Sequence, residues 1–325
     1  MIGLGKIGLL AEVNSGLTKP TTHVGAFLKH PRLQLVGCVE ANPKSRNQAT
    51  QRLPGVPIYQ NTIDLFHEII PDIVSIATPD ETHYAITQEA IKAGVKLIIC
   101  EKPIAENTVD AEKMIRFAKR QKVILLVNHS RRFDSVFQSM AEKIKSNIGD
   151  IQAVRVTYVN GLRNNGSHVV DLLRWWLGDP IWVCAWLKEE VSASHRGDLN
   201  VDAVLEFPSG IRAVLQALEK NNYYSFTQEI YGTQGVYFIK ALGHDIRLSR
   251  VMSGIHSSWP ELELDPKKIP ASRKTFFESM AEHAVQCLDG KEQPRATGED
   301  GLATVRIIEA LLNSARRGGK KIILK

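Results

Sequence analysis

Three groups of residues in this chain have types and spacings that can do chemistry. The first, Gly3-Leu4-Gly5-Lys6-Ile7-Gly8, follows two apolar residues and has the G-x-G-x-x-G spacing of a turn that cradles a pyrophosphate. Glycines there permit the tight turn and let backbone, including that of Lys6 and Ile7, come close to the phosphates. At the end of the apolar run 35–40 stands Glu40, whose carboxylate can accept hydrogen bonds from ribose hydroxyls and repels a 2′-phosphate. Loop and acid together point to NAD. NADP stays open because Lys44 and Arg46 are close by and cations can accept that phosphate. A glycine turn beside a surface glutamate is the plainer alternative, and the glycine motif alone does not exclude it.

The second group closes two later strand-like runs. Ala77-Thr78-Pro79 precedes a helix bearing His83, and Cys100-Glu101-Lys102-Pro103 ends the next run. Ligands of open parallel sheets bind at the carboxyl ends of strands, so Thr78, Pro79, His83, Glu101 and Lys102 are candidates for the cofactor crevice. Lys102, beside a glutamate and fixed by a proline, can serve as proton donor or as a clamp on a reacting hydroxyl. From spacing alone an ordinary surface lysine fits equally well.

The third group is Asn164-Asn165-Gly166-Ser167-His168-Val169-Val170-Asp171. Ser167 or Asn165 is expected to cap a helix running to Gly178, which places His168 in its first turn. The helix dipole there disfavours the imidazolium and keeps the ring neutral, as a base must be. Asp171 and Trp175 share its face. A core histidine with a capping partner is the simpler reading from periodicity alone. His23, His83, His129 and His195 lack such company and read as structural or surface groups unless the fold brings them to the crevice.

The elements that position these residues change character along the chain. Apolar runs at 33–40, 73–77, 97–100 and 123–127 alternate with helical stretches at 82–93, ended by Gly94, and 109–120, the rhythm of parallel βαβ units. Only Met1 and Ile2 precede the glycine turn, so either the start is misassigned or the first strand is truncated. Residues 14–22 read as an insertion in the first helical connection. Beyond about residue 150, alternating runs at 151–158, 182–188, 201–207, 211–218 and 228–239 predict a mainly antiparallel sheet, with a hairpin turn at Pro208-Ser209-Gly210. Helices at 273–288 and 301–316 close the chain. The expected organisation is α/β, with a dinucleotide-binding domain over 1–128 and a substrate and oligomerisation domain over 129–325.

Length and composition agree with that division. The 325 residues exceed one ordinary core, and 43% hydrophobic with 23% charged residues is the mix of a packed globular protein. The net charge of +6 admits an anionic partner, but the basic residues are scattered and carry no interleaved aromatics, so nucleic acid is not expected. Cys38, Cys100, Cys184 and Cys287 form no C-x-x-C pair, which argues against zinc or a disulfide framework. No apolar run approaches bilayer length and no signal-peptide pattern opens the chain, so the expectation is a cytoplasmic protein with no membrane partner.

With these residues assembled, the sequence resembles the glucose-fructose oxidoreductase, inositol dehydrogenase and rhizopine catabolism (Gfo/Idh/MocA) family. The resemblance rests on the glycine loop, Thr78-Pro79, Glu101-Lys102-Pro103, the segment Gly166-Ser167-His168 to Asp171, and Thr297-Gly298-Glu299-Asp300-Gly301 before a final helix. It implies a Rossmann domain, then an α/β domain whose open sheet often mediates dimers or tetramers, and Lys102 and His168 as the catalytic pair. The implied reaction is hydride transfer between a nicotinamide and a sugar, nucleotide-sugar or cyclitol. Many members carry an aspartate four residues before the histidine; here that position is Asn164, which can orient an imidazole or substrate hydroxyl but cannot carry its proton. The same family also contains a non-catalytic dinucleotide-binding regulator. Retention of both Lys102 and His168 favours the enzyme, because a sensor needs no acid–base pair.

Overall fold

The computed structural model describes residues 1–13, 20–190, 198–219, 221–254 and 258–324. Its contacts gather into two compact units, Met1–Asp134 with Arg273–Val305, and Ser135–Ser272 with Arg306–Lys325.

In the first unit, five short parallel strands are β1 (Cys38–Val39), β2 (Ile58–Tyr59), β3 (Ile73–Ile76), β4 (Leu97–Cys100) and β5 (Ile124–Val127). Ile2 bridges in parallel to both Val39 and Ile76, so the order across the sheet is β2, β1, Ile2, β3, β4, β5. β3, β4 and β5 are near-continuous apolar runs, as strands buried on both faces must be. Because all run the same way, Glu40, Thr78, Lys102 and Asn128 leave the sheet along one edge.

The helices of this unit are α1 (His23–Lys29), α2 (Pro43–Arg52), α3 (Thr62–Glu68), α4 (His83–Ala93) and α5 (Thr108–Arg120). Asparagine or threonine side chains cap all of these but α4, and α4 ends as expected on Gly94 with φ 95°. Two expectations need correction here. The run 33–40 forms strand only at Cys38–Val39, because its partners are as short, Ile58–Tyr59 on one side and Ile2 on the other. Nor does the glycine motif open an α-helix directly. Residues 5–8 form a turn, a 3-10 turn follows at Leu10–Val13, and α1 begins at His23. The amides of His23 and Val24 donate to the carbonyls of Ile7 and Gly8 at 3.2 and 3.1 Å. Those are bonds that residues 11 and 12 would make in an uninterrupted helix. The insertion therefore splits one helix, and α1 continues the turn.

The chain returns to this unit through the helix Phe276–Leu288, closed at its start by a Thr275–Glu278 capping box. Val127 then donates to Ala296 O, and Thr297 and Asp300 cap the helix Gly298–Arg316 reciprocally. A Cβ on Gly301 would stand 2.9 Å from Val127 and 3.0 Å from Ile104, which is why this stretch needs glycine to dock against β5.

The second unit opens with α6 (Ser135–Ile148), whose Phe137, Met140, Ile144 and Ile148 face the core. Its strands are β6 (Ile151–Tyr158), β7 (Trp182–Glu190), β8 (Leu199–Glu206), β9 (Arg212–Ala217), β10 (Phe226–Gly232), β11 (Gly235–Lys240) and β12 (Asp245–Met252), with α7 (Ser167–Leu177) after β6. The order is β12, β11, β10, β6, β9, β8, β7, with the short strands Glu261–Leu262 and Lys267–Lys268 beside β12 and Ile322–Ile323 beside β7, antiparallel throughout except for β6 beside β9. The turn at 208–210 joins β8 to β9 as its Pro-Ser-Gly sequence implied. Residues 228–239 are not one strand but the β10–β11 hairpin. A Cβ on Gly232 would stand 2.1 Å from Ile148 O, and Gln234 N donates to that same carbonyl, so the chain reverses there. The apolar face of this sheet packs on α6, α7 and the end of the last helix.

One buried cluster in the first unit makes its stability depend on pH. His283 Nδ1 lies 2.9 Å from Glu292, while its Nε2 takes the Arg295 amide at 3.1 Å and faces the Cys287 sulfur at 3.4 Å. Burial pushes this imidazole below its ordinary value of 6.5 against the pull of Glu292, and burial pushes the Cys287 thiol up to about 11. The unfolded chain then binds the proton more readily, so stability is lost as pH falls below about 6.5. Urea midpoints between pH 8 and 5 should decline along the acid side for the native protein and less steeply for His283→Gln. Equal slopes would remove this group from the account.

Candidate active site

The glycine turn is shaped by close approach. Gly3 has φ 88°, and a Cβ on it would stand 2.7 Å from Ala77 backbone; one on Gly8 would stand 2.1 Å from Gly3 O. Neither position admits a side chain. Around Gly5 a Cβ would meet nothing within 4 Å, so packing within the protein does not require glycine there. Glu40 accepts from Leu4 N at 2.8 Å through one carboxylate oxygen and from Asn42 N at 2.9 Å through the other. The residue singled out for the ribose thus also ties β1 to the glycine turn. Arg46 donates through Nη1 to the carbonyls of Glu40 and Ala41, at 2.8 and 3.0 Å.

Along the same sheet edge, Thr78 accepts from Thr82 Oγ1 at 2.6 Å, and a 3-10 turn at Asp80–Thr82 leads into α4. His83 is buried, and its ring nitrogens lie 2.9 Å from Pro103 O and 2.9 Å from Thr78 O. It ties together the two turns that follow β3 and β4. The Lys102–Pro103 peptide is cis, and Lys102 is half-buried.

Beside Lys102 lies a cluster that the residue pattern did not announce. Glu101 Oε1 is 2.7 Å from His23 Nε2 and 2.5 Å from Asn128 Nδ2, and Lys102 N donates to Oε2 at 3.3 Å. His23 is wholly buried, with Nδ1 2.9 Å from Ser75 Oγ and its ring edge-on to Phe277. Burial alone would push the Glu101 carboxyl up; the hydrogen bonds from His23 and Asn128 and the charge of Lys102 outweigh it and hold the group below its ordinary value. His23 read as a structural or surface histidine because the insertion separates it from the glycine motif, and Asn128 carried no signal because a lone asparagine after a strand is a common turn residue. Its place at the carboxyl end of β5 was the available signal.

In the second unit the histidine segment is built differently from expectation. Residues Gly161–Gly166 form a π-helical turn that runs straight into α7, and the residue before α7, Gly166, is itself helical with no side-chain cap. Ser167 instead donates to Asn164 O at 2.7 Å, and Asn165 donates to the Tyr224 hydroxyl at 2.9 Å. His168 therefore does not stand at a free helix amino end, and the dipole argument for its neutrality falls. That end lies at Asn160–Gly161, where Asp198 accepts from Arg163 N at 2.9 Å and Asn164 N at 3.1 Å, and Asn200 accepts from Gly161 N. Asp198 is buried. It is the cap, supplied by a residue more than thirty positions downstream and not by the expected local serine or asparagine. Asp171 is buried and His168 half-buried on the α7 turn that follows. His129 is buried after β5; His195 lies outside the described residues.

Comparison with known proteins decides the lineage. Residues 1–129 match an oxidoreductase family with an NAD-binding Rossmann fold, Gfo/Idh/MocA, and residues 141–323 match the C-terminal alpha/beta domain of that family. The chain belongs to the Gfo/Idh/MocA oxidoreductases. It is 26% identical to the 1,5-anhydro-D-fructose reductase of Ensifer adhaerens over 76% of this chain and 78% of that one. It is 23% identical to the D-apiose dehydrogenase of Paraburkholderia graminis over 91% and 84%. Among solved structures, the fold is shared with the WlbA dehydrogenase of Bordetella pertussis in complex with NADH and UDP-GlcNAcA, with TM-score 0.74, 21% identity and 93% and 94% coverage. Membership makes this chain an NAD-binding oxidoreductase, with the Rossmann sheet and the mainly antiparallel sheet that the residue pattern implied.

The Gly161–Asp198 contact carries a prediction. Gly161 has φ 87°, and a Cβ on it would stand 1.9 Å from the Asp198 carboxylate. Gly161→Ala and Asp198→Asn should each cost roughly 1–3 kcal/mol, by strain and by an unmatched buried N–H respectively. Because both disturb one contact, the double variant should lose clearly less than the sum. Denaturant midpoints of the four proteins check this, and strict additivity would show that the two do not act together.

Proposed function

We propose that this oxidoreductase transfers a hydride between NAD and a hydroxyl- or carbonyl-bearing carbon of a sugar, nucleotide-sugar or cyclitol. The substrate class is supported by relatives named for anhydrofructose, apiose and myo-inositol. The observation that carries the reading lies in the Rossmann unit. There a glycine turn with room for a ligand at Gly5, a carboxylate at Glu40 and a lysine at Lys102 stand along one edge of a parallel sheet.

When bound, NAD supplies the hydride acceptor or donor; everything else falls to the chain's own residues. Gly3, Gly5, Lys6, Ile7 and Gly8 hold the pyrophosphate on backbone, Glu40 takes the ribose hydroxyls, and Thr78, Pro79 and Glu101 line the crevice, with His83 fixing its turns. Lys102 and His168 move the proton of the reacting hydroxyl, while Asn164 and Asp171 orient substrate and imidazole. Residues 1–128 serve the cofactor and 129–325 the substrate and self-association. A homodimer or homotetramer in the cytoplasm completes the proposal, the exposed sheet face with Trp186 and Val214 being its contact surface.

Lys102→Met should lower turnover on the order of 10² to 10⁴-fold, the scale of one acid–base group, with NAD affinity within about twofold of native. Nicotinamide absorbance with a panel of sugars and cyclitols reads turnover, and tryptophan fluorescence reads binding. Native turnover in the variant would place the proton transfer elsewhere. Glu40→Gln keeps an acceptor for Leu4 N but removes the charge, so NADP binding should tighten on the order of tenfold relative to NAD. An unchanged ratio in the same titration would clear Glu40 of cofactor choice.

A further inference from the structure

His23 is the first residue of α1, the half of the split helix that resumes after the insertion. Its imidazole is fully buried and spans two neighbouring strands, with Nδ1 at Ser75 Oγ of β3 and Nε2 at Glu101 Oε1 just past β4. An ionised carboxylate accepts only, so the Nε2–H donates to Glu101. Asn128, past β5, donates to the same oxygen, and its amide is held from behind by its own backbone N–H on Cys100 O at 2.7 Å. His23, itself tied to β3 through Ser75, and Asn128 from past β5 thus converge on the Glu101 carboxylate at the end of β4. The next residue along the chain is Lys102, and its backbone N–H closes on the other oxygen of the same carboxylate.

We propose that His23 and Asn128 are positioning residues for Lys102: they hold the Glu101 carboxylate as a fixed negative charge on the turn that carries the lysine. The inference rests on the acid–base role proposed for Lys102. A fixed anion in the same turn stabilises the ammonium, the form that donates a proton or clamps a hydroxyl, and it restricts where that ammonium can sit. Neither His23 nor Asn128 needs to touch cofactor or substrate for this.

Among the described residues, these charged and titratable groups act on Glu101. His23 comes from α1, Lys102 and Cys100 from its own strand end, and the β5 side offers the neutral Asn128. The Cys100 thiol is pushed well up by burial and further by Glu101 itself, so it remains neutral across the working range. The helix Phe276–Leu288 presents the apolar Phe277 to the His23 ring. With His23 gone, the burial that favours a neutral carboxyl is opposed by less, and Glu101 takes up a proton at higher pH.

The test compares His23→Leu, which removes the donor, with His23→Gln, whose amide can replace it, in the full-length protein. Infrared difference spectra of protein carrying ¹³C-labelled glutamate, with Glu101→Gln as the reference, follow the Glu101 carboxyl through a pH titration without any turnover. In His23→Leu the carboxyl should protonate about one pH unit higher than native, and in His23→Gln close to native. In kcat/KM the acid limb should move up in the leucine variant by the same amount. Its kcat at neutral pH should fall on the order of tenfold, less than for loss of the acid–base group itself, with NAD affinity unchanged. Asn128→Leu reaches the same carboxylate from β5 and should shift it in the same direction, which keeps the test open if His23→Leu does not fold. A Glu101 titration that stays native in the leucine variants overturns the proposal, as does a glutamine variant as impaired as the leucine one. If no substrate turns over even in the native protein, the assigned reaction fails, while the infrared titration still decides the network.

Discussion

A carboxylate taken out of water must be matched by donors, and at Glu101 the donors come from three different elements. His23 on α1, Asn128 after β5 and the Lys102 amide all close on it, so the orientation of the β4 turn is set jointly by parts of the chain about a hundred residues apart. A charge left unmatched at such a site would cost several kcal/mol, more than any single apolar contact in the surrounding core returns. The local arrangement is therefore closely determined: helix entry, strand ends and the lysine turn move together or not at all.

The same device recurs at the two other stretches that the residue pattern singles out. Glu40 fastens the glycine turn to β1 by accepting Leu4 N and Asn42 N, and Asp198 fastens the π-helical turn before His168 by accepting Arg163 N, Asn164 N and Leu199 N. Each is a carboxylate paired with N–H groups that would otherwise be orphaned at a tight turn. Irregular backbone is costly unless its polar groups are satisfied, and an anion that takes two or three N–H groups at once is an economical way to satisfy it. The steric counterpart appears at Gly3, Gly8 and Gly161, where a single added methyl would strike backbone or the carboxylate itself.

The split helix shows how tolerant this scheme is. The insertion separates the glycine turn from α1 in sequence, yet the carbonyls of Ile7 and Gly8 still receive helical partners from His23 and Val24, and His23 still reaches Glu101. What the fold preserves is the hydrogen-bond succession and not the sequence spacing.

By itself the sequence determined the class of fold and the oxidoreductase family. The period of apolar residues distinguishes buried parallel strands from alternating ones, and Gly3, Glu40, Lys102 and His168 are residue types whose local spacing carries meaning. It also marked Gly94 and the Pro208–Gly210 turn, because those depend on neighbours in the chain. Only the tertiary structure decided the long-range partners. That Asp198 and not Ser167 caps the histidine segment, that Gly232 to Gly235 is a reversal fitted to Ile148, and that His23 and Asn128 meet at Glu101 depend on atoms brought close from distant positions. Local pattern carries no information about such meetings, because a side chain's partner is chosen by which backbone groups the packed elements leave unsatisfied, and that is known only once they are packed.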